Sequence, residues 1–275
     1  MKEVLLEFKQ QPQEKYVYRI TDRVEGEIQS VDGHRYTYLH EQEQKSEMTI
    51  AAIDSAAVRE LALVLVVTKD TVINAPELAW QRRRGSIVGK IFEYRLRMHK
   101  NGEIIEVKSN DPKVTFFFDS SYKPSQPVFP DRSISPADIW TQNFPVEVPG
   151  GAPTVATTQY HFHGFTRLAQ FDCAVIDFKG ELEFTESHES PDKTPDKFIV
   201  KKNHAQMTSE GQIFFAYREG FMVKKVNLIT STMRTTTFTT DKVEMPSQAI
   251  FKDHEKITLV EIHRPGGDVG HYRIP

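Results

Sequence analysis

Glu14-Lys15-Tyr16-Val17-Tyr18-Arg19-Ile20-Thr21 is the stretch that decides the fold. Tyr16, Tyr18 and Ile20 fall on one side of a chain with a period of two, and Val17 and Arg19 fall on the other. Aromatic and β-branched residues at this spacing specify a β-strand. The same alternation recurs along most of the 275 residues. It predicts a mainly β protein built on an antiparallel curved sheet or half-barrel.

Working outward, the second half echoes the first. Trp140 lies 124 residues beyond Tyr16, and Tyr160 lies 124 beyond Tyr36. Phe214 lies 122 beyond Phe92, within Gly211-Gln-Ile-Phe214 and Gly89-Lys-Ile-Phe92. A near-constant offset predicts two repeated modules. The expected division is a first β module over 1–119, a connector over 120–136 and a second β module over 137–275. Pro124, Pro127, Pro130 and Pro136 mark the connector.

Turn chemistry supplies the punctuation. Asp32-Gly33 and Asn101-Gly102 each sit between strand-like runs and predict hairpins, because both central turn residues need positive φ. Leu61 to Thr68 reads as a strand buried on both faces, and Val114 to Phe118 as a further strand. A short helix is expected over Ala75 to Arg83, with Asn74 as its N-cap and Pro76 in its first turn. Thr230 to Thr240 reads as one long strand, and Ser187 to Lys197 as a loop. Pro265 to Gly270 reads as a turn.

Composition excludes several functions. Net charge is −3 and the isoelectric point is near 6.4, which argues against a dedicated nucleic-acid binder. Cys173 is the only cysteine, so neither an intrachain disulfide nor a thiolate metal cluster can form. Its neighbours Ala174-Val175-Ile176 make it a small buried core residue. The longest apolar run, Leu61 to Val67, is too short to span a bilayer as a helix, so no transmembrane segment is expected. Residues 1–13 hold only the run Val4-Leu5-Leu6. The chain as written reads as soluble and cytoplasmic, or as periplasmic or envelope-located if a leader has been removed.

Chemistry-bearing patterns are sparse. His161 and His163 share a strand face but stand without a third ligand at a motif spacing, so no metal is expected. Arg82-Arg83-Arg84 fans around the backbone and does not converge on one anion. Glu181 and Glu183 are adjacent on one strand, whereas glycosidase carboxylates must flank the scissile bond. Nucleophile-elbow, Walker and dinucleotide fingerprints are absent from the sequence, and no cofactor is expected.

Phe129-Pro-Asp-Arg-Ser-Ile-Ser-Pro-Ala-Asp-Ile-Trp140 resembles a phrase of a poorly characterised family of bacterial envelope β-proteins. In that family a proline-led segment precedes a Gly-Asp-x-Trp step. Here the step is Ala137-Asp138-Ile139-Trp140, with alanine in place of glycine. Tyr160 to Phe165, Cys173 to Ile176 and Gly211 to Val223 resemble the strands that follow. The family is similar in pattern to lipoprotein-carrier folds, in which a curved sheet encloses an apolar cavity. The resemblance implies export and non-covalent binding of a lipid or other apolar ligand, and it carries over no catalytic residue.

The expected function is therefore a non-enzymatic binding or envelope-assembly protein with an apolar ligand or a protein partner. The competing expectation is an enzyme whose cleft is assembled from separate strands. Phe92, Phe116, Phe118, Phe162, Val175 and Phe214 are the expected lining of an apolar concavity, and no catalytic residue is nominated.

Overall fold

The computed structural model describes residues 3–30, 32–74, 87–109, 126–148, 150–189, 198–239 and 244–275. The expected helix over Ala75 to Arg83, the Arg82-Arg83-Arg84 cluster and the strand Val114 to Phe118 lie outside them.

Among the described residues, twelve strands form one antiparallel sheet that curves without closing into a barrel. β1 (Lys15–Gln29), β2 (Arg35–Ile53), β3 (Arg59–Asn74), β4 (Ile91–Met98) and β5 (Ile104–Ser109) make one meander. β6 (Ile139–Val146), β7 (Thr154–Leu168), β8 (Phe171–Glu189), β9 (Phe198–Ala216), β10 (Phe221–Thr239) and β11 (Glu244–His263) make a second. The meanders join where β1 pairs with β11, from Lys15 opposite His263 to Gln29 opposite Gln248. The short β12 (Val269–His271) folds back onto β11 after the turn at Pro265 to Gly267.

Both expected hairpins form, but only the glycine of each pair has positive φ and Asp32 and Asn101 do not, so one left-handed residue suffices in each turn. Gly33 closes the β1–β2 hairpin at φ +83°. Gly102 closes β4–β5 at φ +96°, and a Cβ there would run into the Pro127 carbonyl. Pro145, which cannot donate to a ladder, sits in β6, an edge strand.

Cross-strand partners share a face, so the register sorts the side chains. Ile20, Ile257, Lys225, Ile213 and Ile176 form one row across β1, β11, β10, β9 and β8. We call their side of the sheet the inner face. The N-terminal segment and residues 126–134 lie on it. Val4 and Ile134 exchange two backbone hydrogen bonds of 2.9 and 2.8 Å. Phe8 and Phe129 both meet the Phe215 ring, with centroids 5.2 and 4.7 Å away. The Phe8 amide donates to Lys100 and the Lys9 amide to Gly220, so the segment links the β4–β5 turn to the β9–β10 turn. The expected connector thus supplies core: Val128, Phe129 and Ile134 are buried.

Burial follows from this cover. Leu61, Leu63, Tyr94, Leu96, Phe162, Ile176, Ile213 and Leu259 form one continuous cluster at the covered end. The expectation that Leu61 to Thr68 is buried on both faces needs correction. Leu61 and Leu63 are buried inward, but Ala62 and Val64 point outward and are half-exposed. Nor does the strand pattern stop where a loop was expected, since Ser187 to Glu189 still belong to β8. Residues 190–197 of that loop lie outside the described residues.

The offset landmarks do not occupy matching registers. Tyr16 and Trp140 each stand second in the first strand of a meander. Trp140 is paired with Tyr160, however, whereas Tyr16 is paired with Met48 and Tyr36 with Ile28.

Candidate functional site

The long strands run past the covered core, and there the two faces of the sheet diverge. On β1, Arg23, Glu25 and Glu27 point outward and are exposed, whereas Asp22, Val24, Gly26 and Ile28 point inward and are half-buried. Outward residues on the neighbours are Lys252 and His254 of β11 and Arg234 of β10. Inward residues are Tyr38 of β2, Phe251 of β11, and Ile229 and Met233 of β10. None of these five apolar side chains (Ile28, Tyr38, Ile229, Met233, Phe251) belongs to either core cluster. Two glycines let aromatic rings lie low on the backbone. A Cβ on Gly26 would strike the Phe251 ring, and one on Gly211 would meet the Phe178 ring. Phe251 also meets Tyr38 edge-on, with centroids 5.9 Å apart.

Between this apolar stretch and the core lies a polar band. Asn227, Glu255 and Asp22 stand in one cross-strand row on β10, β11 and β1. Asp253 follows Glu255 on the same face. Lys225 is 1% exposed, sits 3.5 Å from Glu255 and lies over the Phe178 ring. Burial, with Glu255 and Asp253 nearby, raises the Asp22 carboxyl to about 8. Burial, with Glu255 again, raises Asp253 to about 6. On the β2–β3 side, His40 lies 2.5 Å from Asp70, which also accepts from Gln42.

This band has a testable thermodynamic consequence. The folded chain holds the Asp22 proton up to about pH 8, whereas the unfolded chain releases it near the ordinary value of 3.8. Folding therefore takes up a proton between those limits, and stability falls as pH rises through that window. Asp22→Asn is expected to leave stability unchanged near pH 4. It should raise stability by about 1–2 kcal/mol at pH 8, less than the full shift because the neighbouring acids share the relief. Urea denaturation at the two pH values checks this, and a gain independent of pH would contradict it.

The four expected lining residues that are described do not converge. Phe92 pairs with Leu65 and is half-buried on the inner face. Phe162 pairs with Ile176 and is sealed in the core. Seven strands separate β4 from β7 in the sheet. Val175 and Phe214 oppose each other on the outer face, where Lys224 covers the Phe214 ring. Phe116 and Phe118 lie outside the described residues. Sequence reasoning missed Tyr38, Phe251, Asp22 and Asn227. All four were legible as alternate positions of strands, but which alternate set faces inward depends on register.

The outer face carries the histidine pair. His163 and His161 lie 3.4 and 3.8 Å from one Asp177 oxygen, and Gln212 donates to the other. His161 and Asp177 border a groove of ≈ 590 Å3 that includes Ile139, Gln159 and Leu228. Among the described residues, no group of three or more His, Cys, Asp and Glu is arranged to hold a metal ion. Cys173 is fully buried, and burial pushes its thiol up to about 12, as suits a packing residue. No helix among the described residues is long and apolar enough to cross a membrane.

No protein-family pattern and no curated protein matches this chain. Two solved structures share a loose likeness. One is a protein predicted to be exported, with a YmcC-like fold, from Bacteroides fragilis NCTC 9343. It is 10% identical, with 94% of this chain and 99% of that chain covered, at a TM-score of 0.26. The other is a predicted lipoprotein from Parabacteroides distasonis ATCC 8503. It is 11% identical, with 92% of this chain and 95% of that chain covered, at a TM-score of 0.27. Likeness at this level assigns neither fold nor function.

Proposed function

We propose that this protein is a non-enzymatic binding protein of the bacterial envelope. In this reading it seats an apolar ligand on the inner face of its sheet, beyond the covered core. The observation that carries the binding reading is the sorting of β1, β2, β10 and β11 into a charged outer face and a half-buried inner face. That inner face bears Val24, Tyr38, Ile229, Met233 and Phe251. Alternation of this kind directs one face of an antiparallel sheet away from water. Here the apolar set continues past the residues that the N-terminal segment and 126–134 cover. Small-molecule sites are concave and mostly apolar, with a few placed polar groups, which matches an apolar stretch ending on a polar band. The envelope assignment rests on the sequence resemblance at Phe129 to Trp140.

Thermal shift and native mass spectrometry with decanol and decanoate test the binding. At least one is expected to bind wild-type protein and raise its melting temperature. Phe251→Ser should weaken binding about tenfold, the loss expected when an aromatic contact worth over 1 kcal/mol is removed. Ile250→Ser, on the exposed outer face of the same strand, should leave it unchanged. No binding by either compound, or equal losses in both variants, would overturn the reading.

A further inference from the structure

The polar band on the inner face is short of donors. Asn227 is 6% exposed, and its Oδ1 is buried without accepting a hydrogen bond. Asp253 Oδ1 is in the same condition. Register places both on the face that carries Asp22 and Glu255, on three adjacent strands. A buried acceptor left unmade costs its full desolvation, so two together point to a missing partner. Both orphans are acceptors and the charges around them are carboxylates. The partner they fit is a cation that carries hydrogen-bond donors. No group of acids among the described residues is arranged to coordinate a metal ion, whereas an ammonium group tolerates looser spacing and donates three hydrogen bonds.

We propose that Asp22, Asn227, Asp253 and Glu255 receive the ammonium group of a primary-amine amphiphile whose chain lies along Val24 and Phe251. This rests on the binding reading above and names the headgroup chemistry of the same face. Val24 follows Asp22 on β1 and Phe251 precedes Asp253 on β11, each one inward position further from the core. A headgroup at the acids therefore places its chain directly on the apolar stretch. Lys225 is committed to Glu255 and the Phe178 ring, which leaves an excess of carboxylate for a second cation.

Binding should also be linked to protons. The charged groups that face the band are Asp22 on β1, Asp253 and Glu255 on β11, Lys225 on β10, His40 on β2 and Asp70 on β3. His254 on the outer side of β11 adds to the field at Asp253. Asp22 and Asp253 hold protons in the free protein below about pH 8 and about pH 6. An ammonium displaces those protons, so its affinity should rise with pH across that window.

Isothermal titration with decylamine, decanoate and decanol, below their aggregation limits, tests the proposal. At pH 8 decylamine is expected to bind at least about tenfold tighter than decanol, the discrimination of one charge-assisted hydrogen bond. The advantage should shrink at pH 5.5, and binding should release protons to the buffer. In the Asp22→Asn/Asp253→Asn double variant the ratio of decylamine to decanol affinity should fall to about one. The single variant Asp22→Asn, expected to fold at least as well as wild type, repeats the test. Decanol or decanoate binding as tightly as decylamine would overturn this proposal and leave the apolar reading standing. So would an amine preference that survives both variants. Failure of all three to bind would remove the apolar reading itself.

Discussion

Phe215→Ala is expected to destabilise the protein by about 3–5 kcal/mol, the range for truncating a fully buried aromatic residue. Phe215 is sealed from solvent, and both covering segments rest on its ring, through Phe8 on one side and Phe129 on the other. Removing the ring leaves a cavity between three chain segments that are distant in sequence. The backbone around it is held by the β8–β9–β10 ladder, so the cavity cannot collapse fully. Chemical denaturation followed by circular dichroism measures the loss. Amide exchange supplies a local readout, because the Val4 and Ile134 amides, which close the bridge over the inner face, should lose protection first. Ile139→Ala, at an exposed position on β6, should cost less than about 0.5 kcal/mol. A loss below about 1 kcal/mol for Phe215→Ala would mean that the covering segments do not depend on this contact.

Lys225→Met is expected to cost on the order of 3–5 kcal/mol at pH 8, the usual penalty for removing one partner of a buried ion pair. Methionine preserves most of the volume and the contact with Phe178, so the loss isolates the charge. Without the ammonium, Glu255, Asp22 and Asp253 face one another with no cation beside them on the inner face of β10. At pH 5 the two raised carboxyls are already protonated in the folded state, and the penalty should be smaller. Adding Asp22→Asn to Lys225→Met should recover part of the stability at pH 8, as expected for residues in one network. A pH-independent loss with no recovery in the double variant would assign Lys225 a packing role only.

The band around Lys225 bears on both stability and binding. Buried carboxylates that raise one another's affinity for protons weaken the fold, and sites kept in that condition are commonly functional. Stabilisation by Asp22→Asn together with loss of amine preference would be the signature of such a trade.

The local sequence alone determined that this chain is β. Tyr16-Val17-Tyr18-Arg19-Ile20 alternates as a half-buried strand must, hairpins turn at Gly33 and Gly102 where a positive φ is required, and Thr230 to Thr239 runs as one strand. Cys173 could be placed in the core because its neighbours are apolar and no second thiol is present. These are properties of a few adjacent residues, and adjacent residues carry them. The tertiary structure decided which of two alternating sets faces inward. A one-residue change of register exchanges the two faces of a strand, so Phe214 and Val175 could not be told from Ile213 and Ile176 by period alone. Nor could a period show that residues 126–134 would leave the connector to lie across Phe215, or that Asn227, Glu255 and Asp22 would meet. Asn227 and Glu255 stand on consecutive strands, but Asp22 lies at the other end of the chain, and only the pairing of β1 with β11 brings it into their row.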